Sequence, residues 1–182
     1  IGAKTNDANG SNSGHVRVYE NIGGNWIQIG QDIDGEAAGD GSGFVSLSSD
    51  ANTIAIGAKT NDANGSNSGH VRVYQFTAST WVKLGDDING EVAGDWSGTS
   101  VSLNSDGTIV AIGARYNDGN GSNSGHVRVY QYTDGDWDQL KNDIDGYVKD
   151  ARSGDVISLQ GDGKKIVVLS DEDEKVYTYT RN

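Results

Sequence analysis

IGAKTNDANGSNSGHVRVY, Ile56–Tyr74, is the stretch that decides the fold, because it occurs twice unchanged and a third time with three substitutions. Ile1–Tyr19 carries the same residues without a change, and Ile112–Tyr130 reads IGARYNDGNGSNSGHVRVY. Counted from Ile1 to Ile56 to Ile112, the period is 55 and then 56 residues. Trp26, Trp81 and Trp137 keep this register. So do Asp32–Asp40 (DIDGEAAGD), Asp87–Asp95 (DINGEVAGD) and Asp143–Asp150 (DIDGYVKD). The extra residue falls where Gly43-Phe44-Val45 faces Gly98-Thr99-Ser100-Val101, which predicts a bulge in the later copy that the earlier one lacks.

Each unit holds four short runs of strand-forming residues. In the third copy these are Ser100–Asn104, Thr108–Ala114, His126–Gln131 and Trp137–Leu140. Apolar and polar residues alternate through His126-Val127-Arg128-Val129-Tyr130, the period of a strand with one buried face. Ser105-Asp106-Gly107 is a tight hairpin turn in which glycine takes a positive φ. Four antiparallel strands per repeat of this length is the pattern of a β-propeller blade, so the fold class is all-β, built of tandem blades. The chain divides as one repeat domain over residues 1–182. Residues 1–40 are a partial blade, 41–95 and 96–150 are full blades, and 151–182 are a degenerate partial blade. Its last strands are Val156–Gln160, Lys165–Ser170 and Lys175–Thr180. The long loop of the other units is replaced there by Asp171-Glu172-Asp173-Glu174. Fourteen strands leave the ring partial, so the expectation is further blades, or a second copy, to close it.

Gly98-x-x-Val101-Ser-Leu, Asp106-Gly107, Val110–Ala114 and Gly125-x-Val127-x-Val-Tyr130 together resemble FG-GAP-type repeats, the blades of the integrin α-subunit propeller and of many bacterial surface proteins. The resemblance is nearest to a variant carrying GHVRVY…W and DIDGEAAGD, found in secreted proteins of marine bacteria and some algae. It covers the whole chain. It implies an extracellular or cell-surface setting and a propeller fold, while functions on one fold differ widely. Integrin-like blades hold calcium between strands 1 and 2. Here Ser49–Asn52 and Ser105–Gly107 are too short to wrap a cation that wants six or more oxygens.

The most suggestive chemistry lies in the loops Asn6–Gly14, Asn61–Gly69 and Asn117–Gly125. Asp7 and Asn9, Asp62 and Asn64, and Asp118 and Asn120 alternate as oxygen ligands would in a Ca2+ loop. The competing reading is a connection whose Asx turns satisfy their own backbone. His15, His70 and His126 recur once per unit. Sites on separate blades are too far apart to share an ion, so they read as residues packed between blades. Arg17, Arg72 and Arg128 share that strand, and Glu36, Asp40, Glu91 and Asp95 offer inter-blade ion pairs. Trp26, Trp81 and Trp137 read as packing residues of strand 4, with sugar stacking as the alternative.

Departures from the repeat carry separate information. Gly41, Trp96 and Arg152 share one loop position, and Trp96 is the tryptophan outside the register. Arg115-Tyr116 replaces Lys59-Thr60. Trp96, Tyr116 and Arg115 are therefore the candidate binding residues.

Composition bounds the function. The chain has 182 residues and a formal charge of −12, with pI near 4.4. Such an acidic surface disfavours nucleic acid. Cys, Met and Pro are absent, so no disulfide or thiolate metal site arises. A missing initiator Met suggests a processed or truncated start, with any secretion signal upstream of Ile1. No apolar run is long enough for membrane insertion. The expectation is a non-enzymatic binding or adhesion module that engages protein or carbohydrate. A structural building block is the alternative, and a glycan-acting enzyme, with carboxylates across a ring axis, ranks third.

Overall fold

The computed structural model describes residues 1–170 and 175–180. Four antiparallel sheets follow one another along the chain. The first contains β1 (Gly2–Ala3), β2 (His15–Ile22) and β3 (Asn25–Asp34). The second contains β4 (Phe44–Leu47), β5 (Thr53–Ala58), β6 (His70–Thr77), β7 (Thr80–Lys83) and β8 (Ile88–Asn89). The third contains β9 (Ser97–Leu103), β10 (Ile109–Ala114), β11 (His126–Thr133), β12 (Asp136–Gln139) and β13 (Ile144–Asp145). The fourth contains β14 (Val156–Leu159), β15 (Lys165–Ser170) and β16 (Lys175–Thr180). The shortened acidic loop Asp171–Glu174 lies outside the described residues.

Each full blade runs in simple up-and-down order, β4-β5-β6-β7 and β9-β10-β11-β12. The four runs per unit are therefore four strands. Two short strands were not anticipated. β8 and β13 each pair with the start of the third strand, as at His70↔Asn89 and His126↔Asp145. In the first sheet, β3 is long enough to supply both pairings itself, with an irregularity between Val16 and Val18. The bulge sits where the period changes. Gly113 faces Ser100 while Ala114 faces Ser97, whereas β4 and β5 pair without a slip. Gly107 takes φ 73° in its hairpin turn.

The core lies between blades rather than within one. Val16, Val18 and Ile33 of the first sheet pack on Ile54, Ile56, Tyr74 and Trp81 of the second. Ala55, Val71, Val73 and Ile88 pack on Leu103, Val110, Ile112, Tyr130 and Trp137. Ile109, Ala111 and Val127 pack on Ile157, Leu159, Ile166 and Val168. A strand such as β5 or β10 is thus buried on both faces, which explains its nearly continuous apolar run. Backbone bridges between Gly14 and Ser42, Gly69 and Ser97, and Gly125 and Ser153 tie each blade to the next. The glycines are required there. A Cβ on Gly69 would stand 2.1 Å from the Ser97 carbonyl oxygen.

The repeated tryptophans lock the stack. Trp81 is 3% exposed and donates Nε1–H to the Ile29 carbonyl of the preceding blade, at 3.1 Å. Trp137 is 8% exposed and donates to the Leu84 carbonyl, at 2.8 Å. Each indole lies over a glycine, Gly30 or Gly85, whose missing side chain makes the slot. Trp26 has no such neighbour within the described residues and is 71% exposed.

Candidate functional site

The Asx loops are built alike. Asp62 Oδ1 accepts the Asn67 backbone N–H at 2.7 Å, and Asn61 Oδ1 accepts that of Ala63 at 2.9 Å. Asn64 Nδ2 donates to the Gly90 and Glu91 carbonyls at 2.9 and 2.7 Å. Asp7 and Asn9 do the same with Asn12, Gly35 and Glu36. Asp118 and Asn120 use Asn123 and Gly146. The side chains offered as Ca2+ ligands are thus engaged in closing the loop and pinning it to the residues just after β8, and after β3 and β13 in the other units. An asparagine that presents its NH2 to two carbonyls here acts as a donor, whereas a calcium ligand must present oxygen. The geometry matches the Asx-turn reading.

The candidate residues at the repeat's departures do come together. The Trp96 and Tyr116 rings meet edge-on, with centroids 4.8 Å apart. The Arg115 guanidinium lies 4.6 Å from the Tyr116 ring and 5.7 Å from Trp96. It is held by Asp155 at 2.6 Å and by the Tyr116 hydroxyl at 2.7 Å. All three residues are half-buried. Trp96 also holds a left-handed backbone, φ 56°, at the position where Gly41 has φ 62° and Arg152 has φ 49°. For a bulky residue this conformation costs on the order of 1–2 kcal/mol. Strain held at an aromatic residue beside open surface motivates a functional reading.

Sequence reasoning missed the other half of this cluster. Lys59 places Nζ 4.2 Å from the Trp96 ring centroid and 5.5 Å from that of Phe44, and Lys4 lies 6.0 Å from Phe44. Lys4, Lys59 and Arg115 occupy one repeat position, the residue after Ile-Gly-Ala. Lys4 and Lys59 reach the rings of Phe44 and Trp96 at the strand-1 approach of the next unit, whereas Arg115 reaches Trp96 and Tyr116 of its own. Recurrence of a cation at that position was the available signal. Burial pushes the Lys59 ammonium pKa down, and the nearby charges of Lys4 and Arg115 push it the same way. A chain of net charge −12 thus gathers cations and aromatic rings in one stripe.

The histidines are packed between blades, as the repeat implied. His70 and His126 are 0% and 1% exposed. The arginines form inter-blade pairs with two of the four anticipated acids: Arg72 with Glu36 at 3.4 Å and Arg128 with Glu91 at 3.6 Å. Asp40 and Asp95 instead accept from Asn61 and Asn117 Nδ2, both at 3.1 Å. Arg17 departs from the pattern and pairs with Asp32 of its own sheet at 2.7 Å, which lowers the Asp32 pKa to about 2.

Comparison with known proteins supports the repeat type. Residues 89–130 match the FG-GAP repeat family. No curated protein matches the chain. Among solved structures, a Bacteroides uniformis protein named as a 6-phosphogluconolactonase candidate superposes with a TM-score of 0.64 at 11% identity. The alignment covers 93% of this chain and 44% of that one. Kuenenia stuttgartiensis hydrazine synthase gives 0.55 at 12%, covering 92% and 52%. TolB from Acinetobacter baumannii gives 0.52 at 13%, covering 92% and 35%. Identities this low establish fold alone. That fold is all-β and built of propeller blades. The chain spans about half, or less, of the length of these structures. No helix among the described residues is long and apolar enough to cross a membrane.

Proposed function

We propose that the chain is a non-enzymatic binding module of a secreted or cell-surface protein, engaging protein or glycan through the loops that carry Trp96, Tyr116 and Arg115. The observation that carries this reading is the cation–aromatic stripe around Trp96. An aromatic face flanked by Lys59 and Arg115 suits a ligand that offers both a stacking surface and an anionic group. Local positive charge on an acidic protein also favours such a group electrostatically.

The test is a glycan array, with carboxylated, sulfated and neutral glycans, run beside a protein pull-down. Trp96→Gly copies the residue of the preceding unit and is the control. The reading expects anionic ligands that the variant no longer retains. Equal retention by the variant refutes it.

A second reading, a building block of a larger assembly, has one specific observation behind it. Exposed Trp26 lies beside Ile1, Tyr19, Val45 and Leu47 in a single apolar cleft. Its counterparts are both covered by a neighbouring blade. Another blade, from the same protein or from a second copy, fits this face. Sedimentation across a concentration series tests the second-copy version. A chain that stays monomeric throughout contradicts it.

A further inference from the structure

Each buried histidine faces two carboxylates that the repeat alone does not bring together. His126 Nδ1 lies 3.8 Å from Glu91 Oε2 and 3.6 Å from Asp143 Oδ2. His70 Nδ1 lies 3.8 Å from Glu36 Oε2 and 3.9 Å from Asp87 Oδ2. In each triad the three donor atoms fall within 4.8 Å of one another. Glu91 comes from the second blade's exit loop, while His126 and Asp143 belong to the third blade. The triad therefore spans the blade boundary.

These separations are too long for hydrogen bonds, which need about 2.7–3.2 Å. Neither imidazole nitrogen of His70 or His126 has a hydrogen-bond partner, although both side chains are 1% exposed. A buried polar group without a partner calls for an explanation. The imidazole nitrogen stands from each carboxylate by nearly the distance a shared ion would impose. Zinc bonds to nitrogen and oxygen at about 2.0–2.2 Å, so tetrahedral donors sit roughly 3.3–3.5 Å apart. Contraction by a few tenths of an ångström would bring the His126 contacts to that distance, and the two carboxylates, on half-exposed side chains within 4.8 Å of each other, would close around the ion.

We infer that Glu91, His126 and Asp143 form a site for a zinc-class divalent ion that clamps the second blade to the third, with Glu36, His70 and Asp87 as a weaker twin between the first and second. Imidazole with two carboxylates selects such ions over calcium, which takes more oxygens. A neutral imidazole and two carboxylates are the forms that ligate metal. Solvent reaches the site through a polar cleft bordered by Glu91, Gln139, Lys141 and Asp143.

The ranking of the two sites rests on the side chain that contacts the aspartate: Lys141 borders the third-blade cleft where the second unit has Gly85, but among the described residues the lysine–carboxylate pair found at either site is that of Lys83. Lys83 Nζ sits 2.7 Å from Asp87 and supplies a positive charge where the ion would bind. Gln139 holds the matching position in the next unit and donates to Asp143 at 2.6 Å without charge. Gln139 orients its carboxylate, whereas Lys83 competes with the metal for its own. Arg72 and Arg128 flank the two sites equally, against Glu36 and Glu91.

The experiment is equilibrium dialysis of the chain against zinc, with metal content read by mass spectrometry, followed by cobalt substitution. One tightly held zinc is expected. Asp143→Asn and Glu91→Gln, both at half-exposed carboxylates, should each lose more affinity than the roughly 10–100-fold typical of an outer-sphere partner. Lys83→Gln should add a second tight equivalent. Bound cobalt should show the strong visible absorption of a four-coordinate site, and Asp143→Asn should lose it. Failure of the wild-type chain to retain zinc would overturn the assignment. So would zinc held equally by Asp143→Asn, or zinc displaced by an equal concentration of calcium.

Discussion

Trp81 stands on a strand of the second blade and Trp96 at the start of the third, and the two follow opposite logic. Trp81 recurs in every unit that carries strand 4, and it is buried against the preceding blade with its indole N–H satisfied. Trp96 replaces a glycine, holds a left-handed backbone and meets Lys59, Arg115 and Tyr116 at the surface. The first residue builds the blade stack, and the second belongs to whatever the stack presents. Residues shared by all copies serve the fold, while those that break the pattern are where an individual role can arise.

The largest effect expected from this contrast is on stability. Trp81→Ala and Trp137→Ala should each cost about 3–5 kcal/mol in denaturant unfolding, the usual toll of emptying a large aromatic slot. Trp26→Ala, at the same repeat position, should stay within about 0.5 kcal/mol, because its side chain is already exposed. A similar loss at all three positions would show that Trp26 is covered in solution.

Filling the slot from the other side should cost less. An alanine Cβ at Gly30 would stand 2.6 Å from Trp81 Cδ1, on a residue with φ 71°. Overpacking and the left-handed backbone together should take about 1–3 kcal/mol. Gly23→Ala shares a positive φ but meets no atom within 4 Å, so it should cost only the backbone part.

A pH titration in chelator sharpens the shared side of the comparison. Burial, and then Arg72 or Arg128, lower the folded-state pKa of His70 and His126. Asp87, Glu36 and Asp40, or Asp143, Glu91 and Asp95, oppose that shift. Above the ordinary histidine pKa of about 6.5, neither state takes up the proton and stability is full. As the pH falls below it, the unfolded chain protonates first. Stability should then decline by at most about 1.4 kcal/mol per pH unit per histidine, until the folded-state value is passed. His126→Gln should flatten part of that slope.

Much of the blade was legible because repetition exposes period, turns and strand alternation directly. Even the bulge at Ser97–Ser100 followed from one extra residue. The short strands β8 and β13 were hidden, since two residues carry no period. The triads were hidden for a different reason. Glu91 and His126 meet only through the placement of one blade on the next, and spacing along the chain does not encode that. Within the candidate site, Trp96, Arg115 and Tyr116 stood out by breaking the repeat. Lys4 and Lys59 keep it, and their contribution appears only when the rings of the next unit are placed beside them.

The smallest change in stability should accompany the largest change in function. Trp96→Gly restores the residue that the preceding unit uses at the same left-handed position, so its unfolding midpoint should equal or exceed that of the parent chain. The decisive measurement is binding of this variant and its parent to the same carboxylated and sulfated glycans and pull-down partners, read beside that midpoint. The account predicts retention by the parent and loss by an equally stable variant. Equal binding by both would contradict it.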